Sequence, residues 1–230
     1  MWLRKWDDIP SHMRNEAVKH YYDILGKKKL SLCLKRIFDV LFSAILIVLL
    51  SPVFLFLAVL IKIDSKGPVF YKQERITQYG KTFSIVKFRT MVVDADKMGT
   101  LVTVHKDSRI TNIGHTLRKY RLDELPQLFN VICGDMSFVG VRPEVAKYVD
   151  AYNDEMLATL LLPSGITSLA SIRFKDEDTI ISQYVDEQHS VDRIYIEKVL
   201  PQKMEINLEY IRNFSFIKDC FVCVLTLLKV

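Results

Sequence analysis

The sequence predicts an α+β fold, mostly helical, with a small β-hairpin, held on a membrane surface as a monotopic protein by one kinked re-entrant helix. Three observations predict it. The first is an uncharged run from Val40 to Ile61, VLFSAILIVLLSPVFLFLAVLI, broken at Ser51-Pro52. The second is a pair of β-favouring runs on either side of Gln78-Tyr79-Gly80. The third is helical periodicity near both ends of the chain.

Pro10-Ser11 reads as a helix start, with Ser11 as cap. Val18, Tyr21, Tyr22 and Leu25 then recur at helical spacing, and Gly26 closes the run. With its basic tail this helix is expected to lie along a membrane interface. A surface helix packed on the domain is the alternative.

The apolar run comes next. About twenty apolar residues suffice to span a bilayer. Pro52 has no N–H for the Val48 carbonyl and its ring crowds that carbonyl, so the helix should kink there. The Ser51 hydroxyl can turn back onto a carbonyl one turn earlier and add to the bend. Each half is about eleven residues, roughly 16 Å long, which is about one leaflet of a ~30 Å hydrocarbon core. Lys27, Lys28, Lys29, Lys35 and Arg36 precede the run, and Lys62, Lys66 and Lys72 follow it. Cytoplasmic flanks carry the excess of Lys and Arg, so basic residues at both ends suit a helix that dips in at Ser51-Pro52 and returns to the same face. A plain spanning helix is the competing reading. The run starts too late and is too long for a cleaved signal peptide.

After a turn at Ser65–Pro68, Val69-Phe70-Tyr71 and Phe83-Ser84-Ile85-Val86 predict a hairpin. Lys87 and Arg89 alternate with Val86 and Phe88 and so share one face at the strand end. Asp94-Ala-Asp-Lys starts a short helix that stops near Gly99. Thr111-Asn112-Ile-Gly114 reads as a turn, His115 to Arg121 as a short basic helix, and Asp123-Glu124-Leu-Pro126 as a new helix start. Gly134-Asp135 ends that helix. Ser137 to Pro143 is extended, and Leu161 to Thr167 is a second loop. Residues 190–230 read as helical and amphipathic. Cys220 to Leu228 is too short to span, and is expected to pack on protein or on the interface.

Composition narrows the function classes. Half of the 230 residues are hydrophobic, and mean hydropathy is +0.13. Even without residues 40–61 the chain is too apolar to be disordered. A net charge of +5 suits an anionic lipid surface or phosphorylated substrates and is too mild to argue for nucleic acid. Cys220 and Cys223 have C-x-x-C spacing, but no second pair or His pair accompanies them, so they read as ordinary thiols. The five histidines show no ligand spacing.

Residues 118–144 carry the chemistry. Adjacent carboxylates at Asp123 and Glu124 stand downstream of Arg118 and Arg121. A carboxylate can attack phosphorus and form an acyl phosphate. Arginines and a carboxylate-held Mg²⁺ can offset the repulsion between it and an anionic phosphate. The same residues could instead cap a helix and pair on its surface.

A series of motifs stands in order along the chain: Lys35-Arg-Ile-Phe-Asp39, Ser51-Pro52, Gly67-Pro-Val-Phe and Lys87-Phe-Arg-Thr-Met91. Then come Arg118-x-x-x-Leu122-Asp-Glu-Leu-Pro-Gln-Leu128, Gly134-Asp-Met-Ser and Val139-Gly-Val-Arg-Pro143. On these residues the sequence resembles the bacterial sugar transferase family, the monotopic phosphoglycosyltransferases. The resemblance runs from about Lys35 to Glu144, and more weakly through Ile166-Thr167.

The resemblance implies transfer of a sugar 1-phosphate from a UDP-sugar to polyprenyl (undecaprenyl) phosphate, with release of UMP and a requirement for Mg²⁺. It implies a bacterial inner (plasma) membrane location, a catalytic domain facing the cytoplasm, and the first membrane step of polysaccharide or glycoconjugate assembly. Asp123 matches the nucleophile. Glu124 matches a metal ligand or proton acceptor, so both carboxylates are candidate metal ligands. Arg118 matches a phosphate-binding arginine, and Lys87, Arg89 and Arg142 match the nucleotide-sugar pocket. The expected partners are the donor, the acceptor and the bilayer, with no nucleic acid; a homodimer is compatible with the reading. Val141 replaces a frequent Pro, and Pro163-Ser-Gly-Ile-Thr-Ser168 replaces the usual Pro-Gly-Ile-Thr-Gly, which leaves the donor sugar open. The resemblance sets the expectation of a minimal form, without the extra N-terminal membrane bundle of larger members. The expected parts are 1–34, an interfacial helix and basic linker; 35–64, the re-entrant helix; 65–200, the catalytic domain; and 201–230, an amphipathic tail. A non-enzymatic membrane-surface scaffold is the rival function, and it has no need of the Asp123-Glu124 pair.

Overall fold

The computed structural model describes residues 3–95, 107–174 and 191–229. Helix α1 (Glu16–Gly26) starts at Asn15, whose side chain accepts from the Val18 N–H at 2.8 Å. Ser11, the expected cap, instead opens a single 3-10 turn that ends at Met13. Arg14 then leaves helical geometry, so the cap falls to the next good capping residue before the apolar periodicity. Val18, Tyr21 and Leu25 bury against Met13, Leu161 and Phe214. The apolar face of α1 is thus turned into the domain.

Helices α2 (Lys29–Leu49) and α3 (Ser51–Asp64) meet at a bend of 61°. Pro52 sits in the first turn of α3, so the break between the helices falls where its missing N–H leaves the Val48 carbonyl to another donor. The Ser51 hydroxyl donates to the Val48 carbonyl at 2.8 Å. Among the described residues no single helix is long and apolar enough to cross a membrane; the bent pair passes that test only when taken together. Large apolar side chains remain exposed along both arms, among them Leu41, Ile45, Val48, Leu55 and Phe56.

Strands β1 (Phe70–Ile76) and β2 (Thr82–Phe88) form the expected antiparallel hairpin, with Tyr71 opposite Lys87 and Arg75 opposite Phe83. The short helix expected from Asp94 to Gly99 lies outside the described residues beyond Ala95. Helix α4 (Asn112–Lys119) begins earlier than expected, because Thr111 caps it by accepting from the Gly114 N–H at 3.1 Å. Gly114 is therefore a first-turn residue. A Cβ there would stand 2.2 Å from the Thr90 carbonyl oxygen, a contact only glycine permits.

A 3-10 turn, Leu122–Glu124, precedes helix α5 (Gln127–Cys133). Asp123 and Glu124 thus stand one turn ahead of α5 and do not begin it. Pro126 is the cause: it has no N–H for the Leu122 carbonyl, so the helical ladder cannot run back through the pair. Gly134, at φ 91°, ends α5 as expected.

Strand β3 (Met136–Val139) pairs in parallel with β4 (Ser164–Thr167), and this second sheet was not expected from the sequence. Leu161–Thr167 reads as a loop because Pro163-Ser-Gly165 carries turn chemistry. The strand forms because Gly140 and Gly165 let two backbones touch. A Cβ on Gly165 would stand 2.1 Å from the Gly140 nitrogen. Between these strands lies α6 (Ala146–Val149), and after them α7 (Leu169–Arg173), capped by Ser168. The departures at Val141 and Ser168 both lie in this region, and only that at Ser168 acts through its side chain. The Val141 carbonyl accepts from the Gly165 N–H at 2.9 Å, and the Ser168 hydroxyl accepts from the Ser171 N–H at 2.9 Å.

The chain ends in α8 (Val191–Ile194), which runs through a π turn into α9 (Leu200–Arg212), and then α10 (Phe216–Lys229). Helix α10 packs on α2. Lys35, almost fully buried, donates to Asp219 at 2.5 Å and to the Val139 carbonyl at 2.6 Å. Arg36 donates to the Val131 and Ile132 carbonyls near the end of α5. Asp39 accepts from the Phe138 N–H at 3.1 Å. Two of the basic residues that precede the apolar run therefore join α2 to α5, β3 and α10.

Candidate active site

Asp123 and Glu124 are both buried, each 8% exposed, and their environments differ. Glu124 Oε1 accepts from Arg142 Nη2 at 2.8 Å, with Arg121 Nη1 at 3.7 Å and Lys87 Nζ at 3.9 Å. Burial pushes its pKa up, but Arg142, Lys87 and Arg121 outweigh that and hold it at about 2. Glu124 is thus a permanent carboxylate in a cationic grip. The Asp123 carboxylate makes no hydrogen bond or ion pair with any described residue. Burial raises its pKa first and the Glu124 charge second, against Lys87, Arg118 and Arg142. Lys87 is pulled down to about 8 by burial, with Glu124 opposing.

The two carboxylates face different cavities. Asp123 lines a cavity of about 350 Å³ together with Arg75, Lys87, Arg89 and Arg118. Glu124 lines one of about 410 Å³ whose walls are mostly apolar, including Leu46 and Leu50 of α2, Ile166 of β4 and Leu227 of α10. Arg121 stands with Glu124 on that second cavity. Its φ of 51° aims the 3-10 turn between the two cavities.

The structure brings Asp123, Glu124, Lys87, Arg118 and Arg142 together. Arg118 Nε donates to Thr90 Oγ1 at 2.9 Å, which fixes its direction along the cavity wall. Arg89 lines the same cavity but anchors its guanidinium on the turn after α3, donating to the carbonyls of Ser65 and Lys66 at 2.7 and 2.9 Å. Gly67, at φ 128°, makes room for it: a Cβ there would lie 1.9 Å from Arg89 Nη1. Ser51 and Pro52 stand at the bend beside Leu50, not in the cluster. Sequence reasoning missed Tyr71, Gln73 and Arg75, which line the polar cavity from β1. Their spacing of two on the strand opposite Lys87 was the available signal.

Among the described residues no group of three or more His, Cys, Asp or Glu side chains is suited to a metal ion. Glu124 Oε1 is already committed to Arg142. The other Glu124 oxygen and the Asp123 carboxylate remain for Mg²⁺, an ion commonly held by one or two carboxylates plus phosphate oxygens.

Buried carboxylates ringed by guanidinium and ammonium groups lie open on one side to the cavity lined by Lys87 and Arg118 and on the other to an apolar one. The model of the bacterial sugar transferase family matches residues 30–230. The chain belongs to that family. It is 35% identical over 192 residues to the UDP-N-acetylgalactosamine-undecaprenyl-phosphate N-acetylgalactosaminephosphotransferase of Aeromonas hydrophila, covering 82% of this chain and 41% of the relative. It is 33% identical over 203 residues to the UDP-glucose:undecaprenyl-phosphate glucose-1-phosphate transferase of Klebsiella pneumoniae, covering 87% and 40%. It is also 33% identical over 189 residues to the exopolysaccharide production protein ExoY of Sinorhizobium fredii, covering 73% and 84%. The chain therefore spans about two fifths of the first two relatives and most of the third.

Proposed function

We propose that the chain transfers a sugar 1-phosphate from a UDP-sugar to polyprenyl phosphate at the cytosolic face of the bacterial inner membrane. The observation that carries this reading is the split of the adjacent carboxylates between a polar and an apolar cavity. The donor enters the polar cavity, with its diphosphate among Lys87, Arg118 and Arg142. Asp123, the carboxylate without a fixed cationic partner, attacks the β-phosphorus. A bond forms from its oxygen to phosphorus, the bond to the bridging oxygen breaks, and UMP leaves. The product is a sugar-phosphate ester of the Asp123 carboxyl, an acyl phosphate. Mg²⁺ held by Asp123 and the donor phosphates would supply charge neutralisation.

The acceptor lies with its chain in the apolar cavity and its phosphate toward Arg121. A phosphate oxygen of the polyprenyl phosphate attacks the same phosphorus, the bond from phosphorus to the Asp123 oxygen breaks, and the Asp123 carboxylate is freed. Attack needs that oxygen within about 3 to 3.5 Å of phosphorus, which two cavities meeting at adjacent residues favour. The bent α2–α3 pair supports the site's placement, because Leu46 and Leu50 belong both to the helix read as dipping into the leaflet and to the cavity wall. The test is UMP release over a panel of UDP-sugars, with and without undecaprenyl phosphate. One sugar should give lipid-dependent turnover in Mg²⁺. No release from any UDP-sugar by folded, membrane-extracted protein would remove the reading.

A further inference from the structure

Arg75 is a half-buried guanidinium with no acidic partner. It stands on β1, and Tyr71, Gln73 and Arg75 point to one side of the strand and line the polar cavity that Asp123 faces. Arg75 Nε and Nη2 both donate to Gln73 Oε1, at 3.1 and 2.7 Å, and Nη1 donates to the Pro143 carbonyl at 3.2 Å. A guanidinium has five N–H donors. Three are used, which leaves one on each terminal nitrogen. No carboxylate of the described residues comes within ion-pair distance of it. Its acceptors are a neutral amide and a backbone carbonyl, so its fork is positioned with no carboxylate bonded to it. Burial works most against its charge, Glu144 favours it next, and the opposing effect of Arg142 is smaller than that of Glu144.

We propose that Arg75, aimed by Gln73, is a binding residue for the anionic diphosphate of the nucleotide donor. This rests on the donor reading above and extends it to β1. The guanidinium is the only part of the β1 stripe that carries charge, and the cavity it lines already holds Lys87 and Arg118. A dianionic diphosphate supplies the bonded counter-charge that the protein leaves out. The planar fork with two remaining donors matches two phosphate oxygens. Gln73 fixes the fork by taking its other edge. An amide there orients the guanidinium without cancelling it, which a carboxylate could not do.

The test compares wild type with Arg75→Lys and Gln73→Glu, using UDP binding by titration, separate KM values for donor and lipid acceptor, and thermal unfolding. Arg75→Lys keeps the charge and loses the fork. It should weaken UDP binding and raise donor KM about tenfold, with acceptor KM and unfolding temperature close to wild type. Gln73→Glu keeps the size and the hydrogen bonds but pairs the guanidinium, and it should raise donor KM by a similar factor. Unchanged UDP affinity in both variants overturns the assignment. So does an equal loss for donor and acceptor together with a lowered unfolding temperature, which marks a purely structural strut. Should Arg75→Lys not fold, Gln73→Glu decides alone. A wild type that binds UDP but transfers nothing defeats the transferase reading and leaves this assignment standing on the binding data.

Discussion

Arg142 holds Glu124 at 2.8 Å, and through that contact the two adjacent carboxylates become unlike: Glu124 is paired, and Asp123 is open to the polar cavity. Removing the Glu124 charge frees Arg142 and Lys87 from their anion and relieves Asp123 of a like-charged neighbour. Both pKa values then move down, since Glu124 raises each of them. Glu124→Gln should lower turnover on the order of tenfold or more, where ~1.4 kcal/mol corresponds to a factor of ten. Its pH–rate profile should shift as a whole toward acid. A profile that keeps its limbs would show that Glu124 does not set the charge of its neighbours.

The wild-type profile should be a bell. On the proposed route Asp123 must be ionised to attack, and its pKa lies above the ordinary value, so kcat/KM rises with pH as it deprotonates. Lys87 must be charged to meet phosphate, and its pKa lies at about 8, so kcat/KM falls as pH passes that value. Lys87→Arg keeps its charge throughout. It should lose the alkaline limb and retain the acid one, even if its maximum is lower. An alkaline limb still centred near 8 in that variant would assign the limb to another group.

Gly165→Ala tests the second sheet. A Cβ at 2.1 Å from the Gly140 nitrogen and 2.6 Å from its oxygen forces two backbones apart. Overpacking of this kind costs about 1 to 3 kcal/mol. A domain of this size loses roughly 2 to 4 °C of melting temperature per kcal/mol. Thermal unfolding of purified protein reads the effect directly, and an unchanged melting temperature would mean that β3 and β4 do not touch at this point.

That sheet also marks the limit of what the sequence disclosed. The hairpin was legible because β-favouring residues flank a turn over a short span. The bend at Pro52 was legible because proline removes a specific hydrogen bond. The parallel pairing of Met136–Val139 with Ser164–Thr167 was not, since it joins a short glycine-containing segment to one far away in sequence. Local propensity carries no information on such a partner. The site divided in the same way. Asp123, Glu124, Arg118, Lys87 and Arg142 stand in motifs, and the structure gathers them. The internal partners of Lys35 and Arg36 were not legible, because a basic flank does not reveal that its side chains meet Asp219 and the open carbonyls of α5. Gln73 and Arg75 were passed over because the expected strand stopped with the β-favouring run at Tyr71, whereas β1 continues through these polar residues to Ile76.

The bent pair predicts a one-sided topology. Single cysteines placed near Lys29 and near Lys66 should both react only with reagent on the cytosolic side of the membrane. Labelling of one from each side would replace the dipping helix with a spanning one. Pro52→Ala restores an N–H for the Val48 carbonyl and removes the ring clash, so the 61° bend should relax and a fraction of molecules should cross.

The decisive residue is Asp123. It makes no contact that folding requires among the described residues, and it sits in a 3-10 turn ahead of α5, where it caps no helix by side-chain hydrogen bond. Asp123→Asn is nearly isosteric and should therefore fold with wild-type stability or slightly better, since a buried, repelled charge is removed. An amide cannot form an acyl phosphate, so UMP release should fall to background while UDP binding persists. Wild-type protein quenched after exposure to UDP-sugar and Mg²⁺, without lipid, should carry an added sugar-phosphate mass on the peptide containing Asp123. The Asn variant should carry none. Two outcomes separate the routes. If UMP appears without lipid and no adduct forms, water or another side chain is the nucleophile. If UMP appears only once polyprenyl phosphate is added, and no adduct is seen at any time, the lipid phosphate attacks the donor directly and Asp123 acts on charge alone. The open carboxylate beside a neutralised neighbour favours the adduct, because the cations that would otherwise pair with Asp123 are held by Glu124 until a phosphate arrives.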